Sequence, residues 1–305
     1  MIKVIYNGTD ITGAVSVNRC IHDMYARGRA DTLHLRVNDV SRLWDTWAPA
    51  RGDELRVDYG TISTGTMFLA DSKPRNGTFE LFAQSAPLSG YAPQRKAWRQ
   101  VRLLQIAEEI ARRNGLEFTS YGVTDRLYAY VQQEVSDFAF LYKRAQLEGC
   151  AFIIYDKRLI LYSEQYMEGL EPAETLTLGI GDSFEYSPMS AEPFSSCVVS
   201  CGQYSGSFTL SGGSGRVLRP EVLGGVNSNA EAERFAKGLL RAENKACRRG
   251  FAHTPVLKGY APGSVLTLEN PCAPSMDGPI FLDHVRNEYT RNKAKLFFHK
   301  PLEGY

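Results

Sequence analysis

The chain has 305 residues, 43% hydrophobic and 23% charged, with a formal net charge of +1. That length suits two domains or three smaller ones, large enough to bury cores without disulfides or metals, and the composition excludes a disordered chain. Near-neutrality gives no reason to expect a sequence-specific nucleic-acid partner, and no apolar run reaches the ~18 residues of a membrane-spanning segment.

Residues 1–93 read as an antiparallel β domain. The start, MIKVIYNGTDITG, alternates like a strand and lacks a secretory apolar core. The chain is therefore expected to stay in the cytoplasm or to leave by a route other than a signal peptide. Strands are predicted over Lys3–Tyr6, Ala14–Arg19, Asp31–Val37, Glu54–Tyr59, Thr66–Ala70 and Thr78–Ala83. Asn7-Gly8, Arg51-Gly52-Asp53, Tyr59-Gly60 and Asn76-Gly77 separate them, and Asn-Gly between extended runs is a strong hairpin signal. Trp44 and Trp47 fall on one helical turn. Their shared face reads either as a lid over the core or as a subunit contact.

Residues 94–190 change character to an α+β module. Arg95, Lys96, Arg99 and Arg102 surround Trp98 ahead of a helix, and read as its solvated start or as a surface for an acidic partner. The helix is predicted over Val101–Asn114, with Leu103, Leu104, Ala107, Ile110 and Ala111 as its apolar stripe and Gly115 closing it. An extended piece follows at Leu127–Gln132. In Val135–Tyr155, Ser136 or Asp137 is placed to cap a second helix. Its apolar face carries Phe138, Leu141 and Ala145, with Lys143, Arg144 and Glu148 expected to face solvent. Gly149 ends this helix, and the run Cys150–Tyr155 forms a buried strand. Asp156-Lys157-Arg158 then turns the chain into Leu159–Tyr162 as a hairpin, and Thr175–Leu178 adds a strand.

Residues 191–305 return to β structure with one inserted helix. Cys197–Gln203 and Ser207–Leu210 are predicted strands, followed by the flexible loop Ser211-Gly212-Gly213-Ser214-Gly215. Ser228 and Glu231 form a capping-box signature opening a helix to about Lys245, with Ala232, Phe235, Ala236, Leu239 and Leu240 on one face. Val265–Leu268, Gly278–Asn287 and Lys293–His299 close the chain as strands. The fold class is thus α+β, mostly antiparallel β, with a small barrel or sandwich at 1–93 and a β domain at 191–305 bracketing the module at 94–190, a pattern that suits two related β-barrels; the family resemblance given below makes them two small tube-like β-barrel domains.

No constellation in the sequence carries chemistry. Cys197 and Cys201 would lie on one strand face ~13 Å apart, too far for a disulfide or one metal ion, and the six cysteines read as buried and reduced. His22, His34, His253, His284 and His299 lack partners at metal-ligand spacing. Ser214 sits in a loop and not on a strand-to-helix elbow, and the glycines at 212–215 and 224–225 precede no helix with a usable lysine. Glu108 with Glu109, and Asp53 with Glu54, are adjacent and diverge. No catalytic, cofactor-binding or metal residue is assigned, no cofactor is expected, and the chain is not read as an enzyme.

Several segments carry a family resemblance in order. They are Ala30–Leu33, Asp39 leading to Trp44, Ala50–Val57, Gly65–Asp71 and Ala83–Leu88, then Leu104–Leu116, Gln132–Leu141, Phe281–Tyr289 and Lys300–Tyr305. Over most of its length the chain resembles the baseplate hub proteins of contractile phage tails. It is similar to the phage late-control protein D family and to the N-terminal hub part of type VI secretion VgrG spike proteins. The resemblance implies a homotrimer, each chain giving two barrels, so that a ring joins a six-fold tail tube to a three-fold central spike. Implied partners are the spike protein, the tail tube protein or tube initiator, and further the tape-measure protein and baseplate wedge. Implied too is a place in the virion tail baseplate or a phage-like particle, assembled in the host bacterial cytoplasm. No β-helix extension follows the last strands, so the spike is expected to be a separate protein. Two other classes stay open: a tail-associated peptidoglycan hydrolase, and a β-rich surface- or carbohydrate-binding module.

Overall fold

The computed structural model describes residues 1–187, 192–213, 215–222, 225–257 and 259–305. The expected boundary at 190–191 and Ser214 of the glycine-rich loop lie outside these residues, as does Gly224. In the first half the strands are β1 (Ile2–Tyr6), β2 (Thr9–Asp10), β3 (Ser16–Tyr25) and β4 (Thr32–Asn38). Helix α1 (Leu43–Trp47) precedes β5 (Glu54–Tyr59), β6 (Ile62–Ser63), β7 (Met67–Arg75) and β8 (Thr78–Gln84). The middle follows as β9 (Lys96–Arg102), α2 (Leu103–Arg113), β10 (Glu117–Tyr121), β11 (Leu127–Gln133) and α3 (Asp137–Leu147). Then come β12 (Cys150–Tyr155), β13 (Arg158–Ser163), α4 (Glu164–Glu168), β14 (Glu174–Thr177) and β15 (Phe184–Ser187). The last third holds β16 (Phe194–Cys201), β17 (Tyr204–Thr209), β18 (Arg216–Leu218), α5 (Asn229–Asn244) and β19 (Arg249–Thr254). Strands β20 (Val265–Glu269), β21 (Gly278–Glu288) and β22 (Lys293–His299) end it.

One 14-stranded sheet runs through both ends of the chain in the order β15-β19-β22-β21-β3-β4-β8-β7-β5-β1-β2, with β20 and β14 branching from β21 and β6 from β5. The two halves meet where β3 pairs antiparallel with β21, from His22 opposite Asn287 to Tyr25 opposite His284. The separate barrels expected from the strand count are not closed by hydrogen bonding among the described residues. Strand β3 pairs with β4 over Ser16–Asp23 and with β21 over Ile21–Tyr25, and neither β1 nor β2 pairs with it to complete a ring. The pairing is antiparallel throughout apart from β10 with β13, β14 with β20 and β16 with β18.

The turn chemistry is local. Asn7 (φ 47°) and Gly8 (φ 79°) reverse the chain between β1 and β2, and Asp156 (φ 45°) with Lys157 (φ 60°) reverses it between β12 and β13. Two successive left-handed residues match the twist of a hairpin. Helix α1 is flanked by left-handed Arg42 and Ala48, which turn it back over the sheet. Trp44 is buried there, stacked on Phe79 at 5.6 Å and edge-on to Trp47 at 4.9 Å. The tryptophan pair is a lid on the core.

Among the described residues two large hydrophobic cores result, beside a small cluster of Ala26, Val265 and Phe281. The first lies against the large sheet and takes Val4, Leu35, Val57, Leu81, Leu268, Leu282, Leu296 and Phe298. The second gathers α2, α3, β12 and β13 with β16 and α5, through Ile106, Ile110, Leu141, Phe152, Leu161, Val199 and Phe235. The sequence from 194 to 244 packs its apolar faces on the middle segment, while β14 and β15 join the large sheet.

Particular expectations change. Most of the basic run, from Lys96 to Arg102, is strand β9, paired with β11, and it leads directly into α2 with Arg102 at the N-cap. Trp98 points in, donating Nε1–H to Gln133 at 3.1 Å, while Arg99 is exposed, and left-handed Gln100 (φ 46°) interrupts the alternation. Asp137 does not cap α3. Its carboxylate instead takes Arg113 (2.8 and 2.5 Å), Asn114 (2.9 Å) and Gln133 (2.8 Å). Arg144 and Glu148, expected in solvent, turn inward because α5 covers that face of α3. Arg144 is 4% exposed, and Glu148 accepts from Arg234 at 3.1 and 3.2 Å and from Tyr128 at 3.0 Å.

Candidate functional site

Three contacts fix the second core on the large sheet. The first is the link between β3 and β4: Gly28 N–H donates to Phe152 O at 2.7 Å, and Tyr162 donates its hydroxyl to Ala26 O. A Cβ on Gly28 would lie 2.1 Å from the Tyr142 ring, so only glycine lets the chains approach this closely. The second is the β12–β13 hairpin tip. Asp156 Oδ1 accepts from the Thr66 N–H and hydroxyl, both at 3.0 Å, and Lys157 donates to Glu54 at 2.6 Å.

The third contact is a buried charged junction. Helix α4 supplies Glu164 and Glu168, α5 and its end supply Arg241 and Lys245, and β21 and β22 supply Asp283 and His299. Arg241 Nη2 lies 2.7 Å from Glu168 Oε1, and Lys245 is ion-paired with Glu164. His299 bridges two carboxylates, with Nδ1 2.6 Å from Asp283 and Nε2 3.3 Å from Glu168. Arg27 reaches Asp283 from the β3–β4 link at 3.1 Å, and Leu302 N–H donates to Glu168 at 2.8 Å.

Burial would push the Glu168 carboxyl up, but hydrogen bonding from His299 and the charges of Arg241 and His299 outweigh it and bring the pKa down to about 2. His299 is raised: burial opposes its charge, and the neighbouring Asp283 and Glu168 overcome that. Burial draws Lys245 below its ordinary value in spite of Glu164. Such an arrangement holds elements together in one geometry. Every acid in it is engaged by a base, so nothing is left poised to attack a substrate. The sequence motifs do not single these residues out. One signal is present: Glu164 with Glu168, and Arg241 with Lys245, are matched acidic and basic pairs at four-residue spacing, which places each pair on one helix face.

The residues weighed from sequence scatter. His22 is buried with Nδ1 3.0 Å from the Tyr289 hydroxyl, His34 stacks on Phe82, and His253 meets the Ser183 hydroxyl at 2.9 Å. His284 bonds Asp23 and His299 joins the junction. All six cysteines are free; Cys201 is only half-buried and Cys272 is exposed, because its turn leaves the sheet. Lys96 is ion-paired with Glu109 and lies over Trp98. Among the described residues no group of three His, Cys, Asp or Glu side chains is placed to hold a metal ion, and no helix is long and apolar enough to cross a membrane.

No protein-family model and no curated protein matches the sequence. Solved structures do match in three dimensions. A 43 kDa tail protein of prophage MuSo2 from Shewanella oneidensis superposes with a TM-score of 0.71 at 13% identity, over 98% of this chain and 96% of that one. The chain has the fold of phage tail proteins. A tail protein from Neisseria meningitidis MC58 shares this tail-protein fold with a TM-score of 0.74 at 13% identity, again over 98% and 96% of the two chains. An E. coli component of the type VI secretion system, itself described as similar to the T4 bacteriophage tail proteins gp27 and gp5, matches with a TM-score of 0.65 at 11% identity. That match covers 99% of this chain and 78% of the other.

Proposed function

We propose that this protein is a structural baseplate hub of a contractile tail or phage-like particle, a homotrimeric ring joining the tail tube to the central spike. One observation carries the reading: the tail-protein fold spans 98% of this chain and 96% of its counterparts in two separate tail proteins. A chain built of two β halves in one continuous sheet suits the role. Three copies in closed symmetry offer six β units to a six-fold tube while keeping three-fold symmetry for a spike. Partner chains would also cover the open sheet edges at β2 and β15, which otherwise invite aggregation. Under this reading the partners are the spike, the tube protein or tube initiator, the tape-measure protein and the baseplate wedge. The site of action is the virion baseplate, after assembly in the bacterial cytoplasm.

Light scattering coupled to size exclusion tests it. A trimer that co-elutes with spike or tube protein is expected. A stable monomer at micromolar concentration that joins neither would remove the hub reading.

A further inference from the structure

On the face of the large sheet opposite the first core, part of the surface is covered. Phe281 and Val265 pack there with Met167 of the α4 segment, and His299 belongs to the junction. Beside that patch runs a strip of partly exposed rings. Phe251 of β19 pairs with Phe297 of β22, Phe297 with His284 of β21, and His284 with Tyr25 of β3. These are four rings side by side across four strands, a span of roughly 15 Å at the usual strand spacing.

Three of the four rings stack, and the fourth, Phe251, is tilted against its neighbour. Tyr25 and His284 lie 4.5 Å apart and 12° from parallel, His284 and Phe297 4.6 Å and 10°, and Phe297 and Phe251 6.1 Å and 51°. Cations close the row. Arg29 sits 4.4 Å over Tyr25, and Lys295 Nζ lies 3.7 Å from the Phe251 centroid and 4.8 Å from that of Phe297. Lys293 stands two residues along the same strand face.

Charge on the strip is unbalanced. Two of its carboxylates are engaged: Asp23 holds His284 at 2.7 Å and lies 3.9 Å from Arg286, and Glu288 lies 3.4 Å from Arg291 and 4.0 Å from Arg19, which among the described residues leaves Glu185, exposed opposite Phe251 on β15, as a single free carboxylate against three free cations. Arg29, Lys293 and Lys295 have no carboxylate partner among the described residues. Rings stacked face to face present their edges outward, and the edge of an aromatic quadrupole is its positive part. Ring edges and unpaired cations therefore act with the same sign.

We propose that this strip, from Phe251 to Arg29, is a docking surface for an acidic protein partner, whose carboxylates would pair with Lys293, Lys295 and Arg29. Charge complementarity selects the occupant. Nucleic acid is disfavoured because the ring faces it would stack on are taken by neighbouring rings. The inference goes beyond the hub reading and does not depend on it, since a monomer would carry the same surface.

The test is fluorescence anisotropy with labelled poly-L-glutamate, and with a double-stranded DNA oligonucleotide of matched charge, at low and moderate salt. Wild-type protein is expected to bind polyglutamate more tightly than DNA. Lys295→Glu combined with Arg29→Glu should weaken polyglutamate at least about tenfold, since like charges across an interface are strongly unfavourable. Arg51→Glu, an exposed turn residue before β5, should change it less than about twofold. If the double variant melts early, Lys295→Gln replaces it, with a smaller loss in the same direction. Equal affinity in all variants, or no binding, overturns the proposal. Tighter DNA binding with the same variant dependence also overturns it and assigns the strip to nucleic acid.

Discussion

Glu168 Oε1 lies 2.7 Å from Arg241 Nη2 with both side chains almost wholly buried, 4% and 2% exposed. The pair joins a helix that leaves β13 to a helix that packs on β16 and β17. Removing one partner strands a buried charge, so Glu168→Gln should cost about 3–5 kcal/mol. Replacing both, as Glu168→Leu with Arg241→Met, should cost clearly less than the sum of the two single changes. Urea unfolding of the four proteins measures this, and simple additivity would count against the coupling.

The junction also predicts a pH profile. Glu168 falls from 4.5 to about 2 in the folded chain, so its contribution is present above pH ~4.5 and lost as pH drops toward that lower value. His299 is raised above 6.5, so its contribution is complete below ~6.5 and lost as pH climbs through the raised value. Stability from this cluster should peak between those limits. Thermal melts across pH should show His299→Gln with a shallower alkaline slope than wild type, the rest coming from Asp31; parallel slopes would refute the assignment.

Asp31 acts with the opposite sign to Glu168. It is buried and accepts from Tyr25 N–H at 2.8 Å, and burial lifts its pKa to about 8 from 3.8. An acid raised on folding favours the folded state below its unfolded pKa and loses that advantage as pH rises through the folded one. Asp31→Asn keeps an acceptor without the proton. At alkaline pH it should be more stable than wild type by about 1–3 kcal/mol, the usual range for a buried polar mismatch, with the gain shrinking in acid. Thermal melts measure it, and a gain independent of pH would sink this account.

Gly238 marks where α5 meets the end of α3. A Cβ there would fall 2.3 Å from Leu147 O and 2.8 Å from both Gln146 O and Gly149 N, all backbone atoms that cannot step aside. Gly238→Ala should destabilise by about 1–3 kcal/mol although alanine is the better helix former. Unchanged or increased stability in chemical denaturation would show that the helices can separate freely.

Asp156 ties the hairpin tip to Thr66 while adopting a left-handed backbone. Asp156→Ala loses both acceptor contacts and tolerates that backbone less well, for an expected cost of about 1–2 kcal/mol. Asp156→Asn, which keeps the acceptor and the conformation, should cost much less. Native-state hydrogen exchange at the Thr66 amide would report the difference directly.

Much of the local architecture is legible in the order of residues along the chain. The Ser228–Glu231 signature does open α5: Ser228 Oγ accepts from Glu231 N–H at 3.1 Å, and the Glu231 carboxylate reaches back to Asn227 N–H at 2.6 Å. The Asp156-Lys157 turn, the helical turn carrying Trp44 and the apolar stripe of α2 are equally visible. Strand β19 escapes the pattern, since Arg249-Gly250-Phe251-Ala252-His253 alternates weakly beside a glycine. The burial of Arg144 and Glu148 escapes it too, because helical periodicity within α3 cannot register that a second helix, some ninety residues on, covers its polar side.

The sequence by itself determined the fold class and most of the longer elements, because caps, left-handed turn residues and apolar spacing act over a few neighbouring residues. Only the tertiary structure decided that β3 joins β21 into one sheet, that Glu168 meets Arg241 and His299, and that four rings line up from Phe251 to Tyr25. Those depend on strands and helices brought together from opposite ends of the chain. The free energy of each such contact comes from desolvation and complementarity between partners, and neither is written in the local pattern of either one.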